Sequence, residues 1–177
     1  MKLTYLLFLV MFIQSANAQD FCKQIKKEVS EDKTVYDFAS PFDPVDVPPI
    51  RVTRSYSTNP EYSYDNFILI FQIPCDLDNI YTKNPDGAQI EKEESKVIVE
   101  FEDKTTITDD TLKITHDYTD DRSQALRVVY YPLTEKTIKD FTTKKIVKFS
   151  LAGYEKAVPP AMANALMQYI ICIKAVK

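Results

Sequence analysis

The chain has 177 residues, 45% of them hydrophobic and 27% charged, the composition of a folded globular protein. Its 26 acidic residues outnumber 22 basic ones for a net charge of −4, so it lacks the basic footprint that nucleic acid or an anionic membrane surface requires. Only two glycines, Gly87 and Gly153, and no tryptophan are present; the first excludes a glycine-rich phosphate loop, and the second weighs against a lipocalin.

Residues 1–18 read as a cleaved secretory signal peptide. Lys2 supplies the positive start, residues 6–13 the apolar run, and Ala16-Asn17-Ala18 the small-x-small cleavage site. The run is too short for a permanent membrane helix, and no later stretch predicts stable membrane insertion. Gln19-Asp20-Phe21 before Cys22 does not suit bacterial lipidation. The expectation is an exported protein, periplasmic or secreted. The mature chain, residues 19–177, has 21 basic and 26 acidic side chains, a net charge of −5. It is long enough for a single globular domain with its own core.

Residues 23–39 alternate around the polar turn Ser30-Glu31-Asp32-Lys33 and predict a β-hairpin, with a helix over 21–29 as the rival. Pro41, Pro44, Pro48 and Pro49 mark an extended connector. A strand follows over 50–55, then a tyrosine-rich loop. Residues 66–73 form the strongest strand, apolar on both faces and therefore central and covered twice. The long segment 74–95, with turn chemistry at Asn84-Pro85-Asp86-Gly87, is read as a connector. Strands are expected over 96–102 and 105–108 around Asp103-Lys104, and then over 112–117 and 125–131. Thr134 caps a short helix reaching about Thr142. Residues 146–152 are the last expected strand. A helix begins at Pro159-Pro160 and runs to about Ala175; its wide apolar sector requires docking on a sheet. The fold class is α+β: mainly antiparallel β of seven to nine strands, sandwich-like or a partly open barrel, with one short helix and a C-terminal helix packed on the sheet.

Three cysteines, Cys22, Cys75 and Cys172, give one disulfide and one spare thiol in an exported protein. Cys22–Cys172 is favoured because it ties the N-terminal strand to the C-terminal helix; closing so long a loop contributes about 5 kcal/mol in the chain-entropy model, less in practice. Cys22–Cys75 and Cys75–Cys172 are the alternatives. Cys75 then reads as a buried, inert thiol, and the absence of a CxxC pair argues against a redox motif or zinc ribbon.

His116 is the only histidine, so any histidine-based catalysis must use it; its polar setting reads as a surface position. The acidic stretches at Asp76, Asp109-Asp110 and Asp117 break the calcium-loop pattern, since in a loop starting at Asp76 the fifth position is Ile80 and no glycine follows at the sixth. They read as solvated loops, and no metal or cofactor is expected. Tyr56, Tyr62 and Tyr64 cluster around one loop and are the candidate partner-binding residues. Adjacent Tyr130 and Tyr131 must point to opposite faces of a sheet.

Several segments together resemble small signal-peptide-bearing exported proteins of Bacteroidota. They are Cys22 with Ile25-Lys26-Lys27-Glu28-Val29, the Val97-Ile98-Val99-Glu100-Phe101 hairpin, Tyr131-Pro132-Leu133-Thr134 before a helix, Ile146-Val147-Lys148-Phe149, and Cys172 in a closing helix. The chain departs from the pattern at Lys104, where such proteins often have glycine. The resemblance implies an α+β or sandwich-like domain with its terminal cysteines close together, and no activity. With no catalytic constellation visible, the expected function is non-enzymatic: binding of a protein or cell-envelope partner. The alternative is a carrier of a small hydrophobic ligand beside strand 66–73. A hydrolase built on His116 or scattered carboxylates ranks third.

Overall fold

The computed structural model describes residues 21–38, 49–59, 61, 63–76, 79–83, 85–118 and 124–176; the signal segment, most of the proline-rich connector and Tyr62 lie outside them. Two antiparallel sheets face each other. The first has six strands in the order β1 (Ile25–Val29), β2 (Lys33–Phe38), β3 (Ile50–Ser57), β4 (Asp65–Cys75), β10 (Ala125–Pro132) and β9 (Thr115–Tyr118). The second has four: β12 (Tyr154–Ala157), β11 (Ile146–Leu151), β7 (Val97–Phe101) and β8 (Thr106–Asp109). A short hairpin joins β5 (Tyr81–Lys83) to β6 (Gln89–Glu91). Among the described residues the two helices of more than one turn are α1 (Glu135–Thr143) and α2 (Pro160–Ala175). The sheets do not close into a barrel, so the sandwich-like form is the one adopted.

The central strand is the most apolar one. β4 runs between β3 and β10, and strand alternation sends Leu69, Phe71 and Ile73 to one face and Ile70 and Gln72 to the other. All five are buried. The first set faces the second sheet: the Phe71 ring lies 5.0 Å from Phe149 of β11, and 6.2 Å from Tyr131 on the neighbouring strand β10. Phe141 of α1 closes the same core against Phe101 at 5.4 Å and Tyr131 at 5.6 Å. Burying each such ring or branched side chain contributes roughly 1.5–3 kcal/mol. On the outer face Ile70 packs with Leu126 and Val128 in a separate small cluster.

The predicted hairpin over 23–39 forms as β1 and β2, in register from Ile25–Phe38 to Val29–Thr34. The predicted cap forms too: Thr134 Oγ1 accepts from the Thr137 N–H at 3.3 Å, and the Thr134 N–H donates to Thr137 Oγ1 at 3.0 Å. Lys104 adopts the left-handed conformation, φ 69°, closing the β7–β8 turn where glycine would be free of strain.

Three expectations are corrected. Segment 74–95 carries the β5–β6 hairpin. β9 begins only at Thr115, because Asp109 Oδ1 accepts from the Thr111 and Leu112 N–H groups and holds that stretch in a turn. Residues 146–152 are not the last strand, since Ala152 (φ 50°) and Gly153 (φ 88°) reverse the chain into β12.

The helix α2 is fastened to the start of the chain by a Cys22–Cys172 disulfide, Cα–Cα 5.3 Å. Around it Tyr169 stacks on Phe38, centroids 3.3 Å apart, and meets Phe21 edge-on at 5.4 Å. The Tyr169 hydroxyl donates to Gln24 Oε1 at 2.6 Å. The C-terminal end of the helix, next to the disulfide, is held by Arg54, whose Nη1 donates to the carbonyls of Ile173, Lys174 and Val176, closing the helix's open acceptors. Asp65 takes the other side of that guanidinium at 2.6 and 2.8 Å, and Arg54 in turn holds the Asp65 carboxyl below its ordinary pKa.

Candidate functional site

The chemistry-bearing side chains gather where β9, the edge strand of the six-stranded sheet, meets the β5–β6 hairpin. The hairpin and the residues after it are anchored first by apolar contacts. Ile80 and Ile114 are buried, and the Ile114 N–H donates to the Glu94 carbonyl at 2.9 Å. A polar network completes the attachment. On β10, alternation sends Ala125, Arg127, Val129 and Tyr131 inward, so a charged residue occupies a core position. Arg127 is 0% exposed. Its Nε donates to Glu94 Oε2 at 2.7 Å, and its Nη2 to Glu94 Oε1 at 3.2 Å and the Asn79 carbonyl at 3.3 Å. The guanidinium lies 3.8 Å over the ring of Tyr154. Lys92 Nζ reaches the same Asn79 carbonyl at 2.9 Å.

His116 stands opposite Arg127 in the β9–β10 register. Its side chain is 2% accessible, so it is not the surface histidine that its polar neighbours suggest. Its Nδ1 lies 2.6 Å from Glu91 Oε1, the distance of a charge-assisted bond. The carboxylate accepts there, which places a hydrogen on Nδ1. Its Nε2 is 3.3 Å from Glu94 Oε2, within ion-pair range, yet this buried atom has no hydrogen bond of acceptable geometry. Glu91 pairs with Tyr81 across the hairpin, and the Tyr81 and Tyr118 hydroxyls are joined at 2.9 Å. A series of neighbours therefore runs from Tyr154 through Arg127, Glu94, His116, Glu91 and Tyr81 to Tyr118, its Glu94–His116 link a close approach without a hydrogen bond and its Glu91–Tyr81 link a backbone pairing. Tyr118 and Tyr154, its two ends, are 40% and 41% exposed.

The tyrosines singled out in the sequence are not assembled in this way. Tyr56 packs against the edge of the core, and its hydroxyl meets that of Tyr36 at 3.4 Å. Tyr64 is exposed just before β4, and Tyr62 lies outside the described residues. Among the described residues no ring contact joins Tyr56 to Tyr64. Tyr130 and Tyr131 do divide between the two faces, the first exposed and the second buried.

Cys75 ends β4, half-buried and unbonded to another cysteine. Burial pushes its thiol pKa up, which disfavours the reactive thiolate. Among the described residues no group of three or more His, Cys, Asp or Glu side chains is arranged to hold a metal ion. No described helix is long and apolar enough to cross a membrane. A separate open cleft of about 560 Å³ lies between β4 and the two helices, lined by Arg54, Asp65, Phe67, Ile138 and Lys174 among others.

The Glu91–His116 pair has the form of a base oriented by a carboxylate. The other ring nitrogen is sealed from solvent, however, and faces a second carboxylate rather than a nucleophile. The arrangement is suited to fixing the hairpin in place and presenting tyrosines at its margin. Comparison of the chain with family models, curated proteins and solved structures finds no match in any of the three, so the resemblance to exported Bacteroidota proteins gains no support from them.

Proposed function

We propose that this chain is an exported binding module that docks a protein or cell-envelope partner on the tyrosine rim formed by Tyr81, Tyr118 and Tyr154. The observation that carries the reading is the placement of exposed Tyr118 and Tyr154 at the margin of a buried polar network. Tyrosine supplies large contact area at low entropic cost, and tyrosine and arginine are enriched where protein interfaces concentrate their binding energy. The rim is held rigid by Arg127 and His116 beneath it, so little ordering remains to be done on binding. The disulfide favours export, because such bonds persist in oxidising compartments. Burial of His116 Nε2 speaks against histidine catalysis, since a general base must reach the proton it removes. The carrier reading is weaker: the Phe71, Phe149 and Tyr131 rings fill the space between the sheets, and the open cleft beside β4 is lined by the charged Arg54, Asp65, Glu135 and Lys174.

The test is site-specific photocrosslinking in the native envelope, with a photoreactive residue at position 118 and a control at Tyr130, which is exposed on the opposite face of the sheet. A discrete adduct from position 118 that position 130 does not give supports the reading. Equal labelling from both positions, or none from 118, overturns it.

A further inference from the structure

The rim has a chemistry of its own beyond being aromatic. Glu91 is 55% exposed at its side chain, yet it is not mobile surface charge: Oε1 is held by His116 Nδ1, and Tyr81 flanks it in register. The Tyr118 hydroxyl is held above its ordinary pKa, chiefly by the bond to Tyr81, with the Glu91 charge adding to the effect. Tyr81, bonded to Tyr118 and opposite Glu91 in the hairpin, and His116, two residues before Tyr118 on the same strand, bring this fixed carboxylate close to an exposed tyrosine. Glu93, two residues after Glu91, is exposed and carries the same sign. Of the nearby bases, Lys92 is turned to the Asn79 carbonyl, and Lys83 lies two residues along β5 from Tyr81, opposite Gln89.

The same pairing recurs inside the molecule with its cation present. Arg127 lies on the face of Tyr154 and is paired with Glu94, so one guanidinium is held by a tyrosine and a glutamate together. At the rim Tyr118 and Glu91 are brought near each other through Tyr81 and His116, and among the described residues no arginine or lysine lies on the Tyr118 ring or pairs with Glu91.

Building on the interface reading above, we propose that the rim recognises a cationic segment of a protein partner, with an arginine or lysine side chain laid on Tyr118 and paired with Glu91. A cation on an aromatic face beside a fixed carboxylate gains from both the ring quadrupole and the charge. The net negative charge of the chain favours the encounter.

The probe is a synthetic decapeptide of alternating arginine and serine, titrated into the 15N-labelled mature chain and followed by NMR. Its control is the same peptide with citrulline, the neutral isostere of arginine. The expected result is shifts confined to residues 81–83, 89–94 and 115–118, absent with citrulline. Tyr118→Leu, an exposed substitution that leaves the core untouched, should weaken binding by about fivefold, and Glu91→Gln by a similar factor. Shifts scattered over the surface, equal binding of the citrulline peptide, indifference to Tyr118→Leu, or no binding would each overturn the proposal. If the peptide fails while position 118 still gives its discrete crosslink, the cationic partner is wrong and the interface stands. If the crosslink also fails, both fall.

Discussion

At one edge of the six-stranded sheet, the N-terminal hairpin and the residues before it are fastened to α2 by a disulfide, the rings of Phe21 and Phe38 on Tyr169, and one hydrogen bond. At the other edge, the hairpin and the residues after it are fastened by a guanidinium, two carboxylates and an imidazole. Both attachments join residues far apart in sequence, and each uses what its surroundings allow. The first edge buries apolar rings, so its stability rests on excluded water and a covalent bond. The second places charges where water is scarce. Coulombic attraction there must offset desolvation, and every polar group needs a partner. The first attachment is tolerant of imperfect geometry. The second is intolerant of losing any one member, which is the property expected of a platform that must hold a surface rigid.

The largest expected effect is at the polar edge. Arg127→Met leaves Glu94 without its partner and should cost about 3–5 kcal/mol in urea unfolding, whereas pairing it with Glu94→Leu should restore most of that loss. Additive losses in the double variant would mean the two side chains do not act as a pair. At the apolar edge, reducing the Cys22–Cys172 bond should cost about 2–5 kcal/mol, read as a lower unfolding midpoint with reductant present. An unchanged midpoint would show that the rings alone hold α2. The smallest effect concerns Tyr169→Phe, which removes one hydrogen bond worth about 1 kcal/mol at neutral pH. It also changes the alkaline limb. Burial pushes the Tyr169 pKa up to about 12 from 10.0. The folded state therefore holds the phenolic proton more tightly, and this contribution is complete below pH 10 and lost as pH rises toward 12. The phenylalanine variant should show a shallower loss of stability over that interval, and parallel curves would place the alkaline sensitivity elsewhere.

The apolar edge was legible in the sequence because its signals are local or few. Residues 66–73 announce a central strand, Thr134 and Pro160 mark helix starts, and three cysteines leave only three pairings. The polar edge was hidden because its contacts span 25 residues from Glu91 to His116 and 33 from Glu94 to Arg127. Taken singly, each of those residues has the composition of a solvated loop. The strands missed, β5, β6 and β12, are short; β12 is exposed throughout, so no burial pattern marks it. One signal was available. Strand alternation places Arg127 on the same face as Ala125, Val129 and Tyr131, and an arginine facing the core demands a carboxylate. That inference leads to Glu94, and from Glu94 to His116. The tyrosine rim follows only from the fold, since nothing in the sequence brings Tyr81 to Tyr118.

The Cys22–Cys172 bond also fixes how the molecule responds to tension. It joins positions 150 residues apart with their Cα atoms 5.3 Å from each other. A pull on the chain outside the two cysteines is carried across the bridge, and the strand registers between them bear no load. A domain tethered at both ends would thus keep its tyrosine rim in shape under shear, until the bridge itself is reduced.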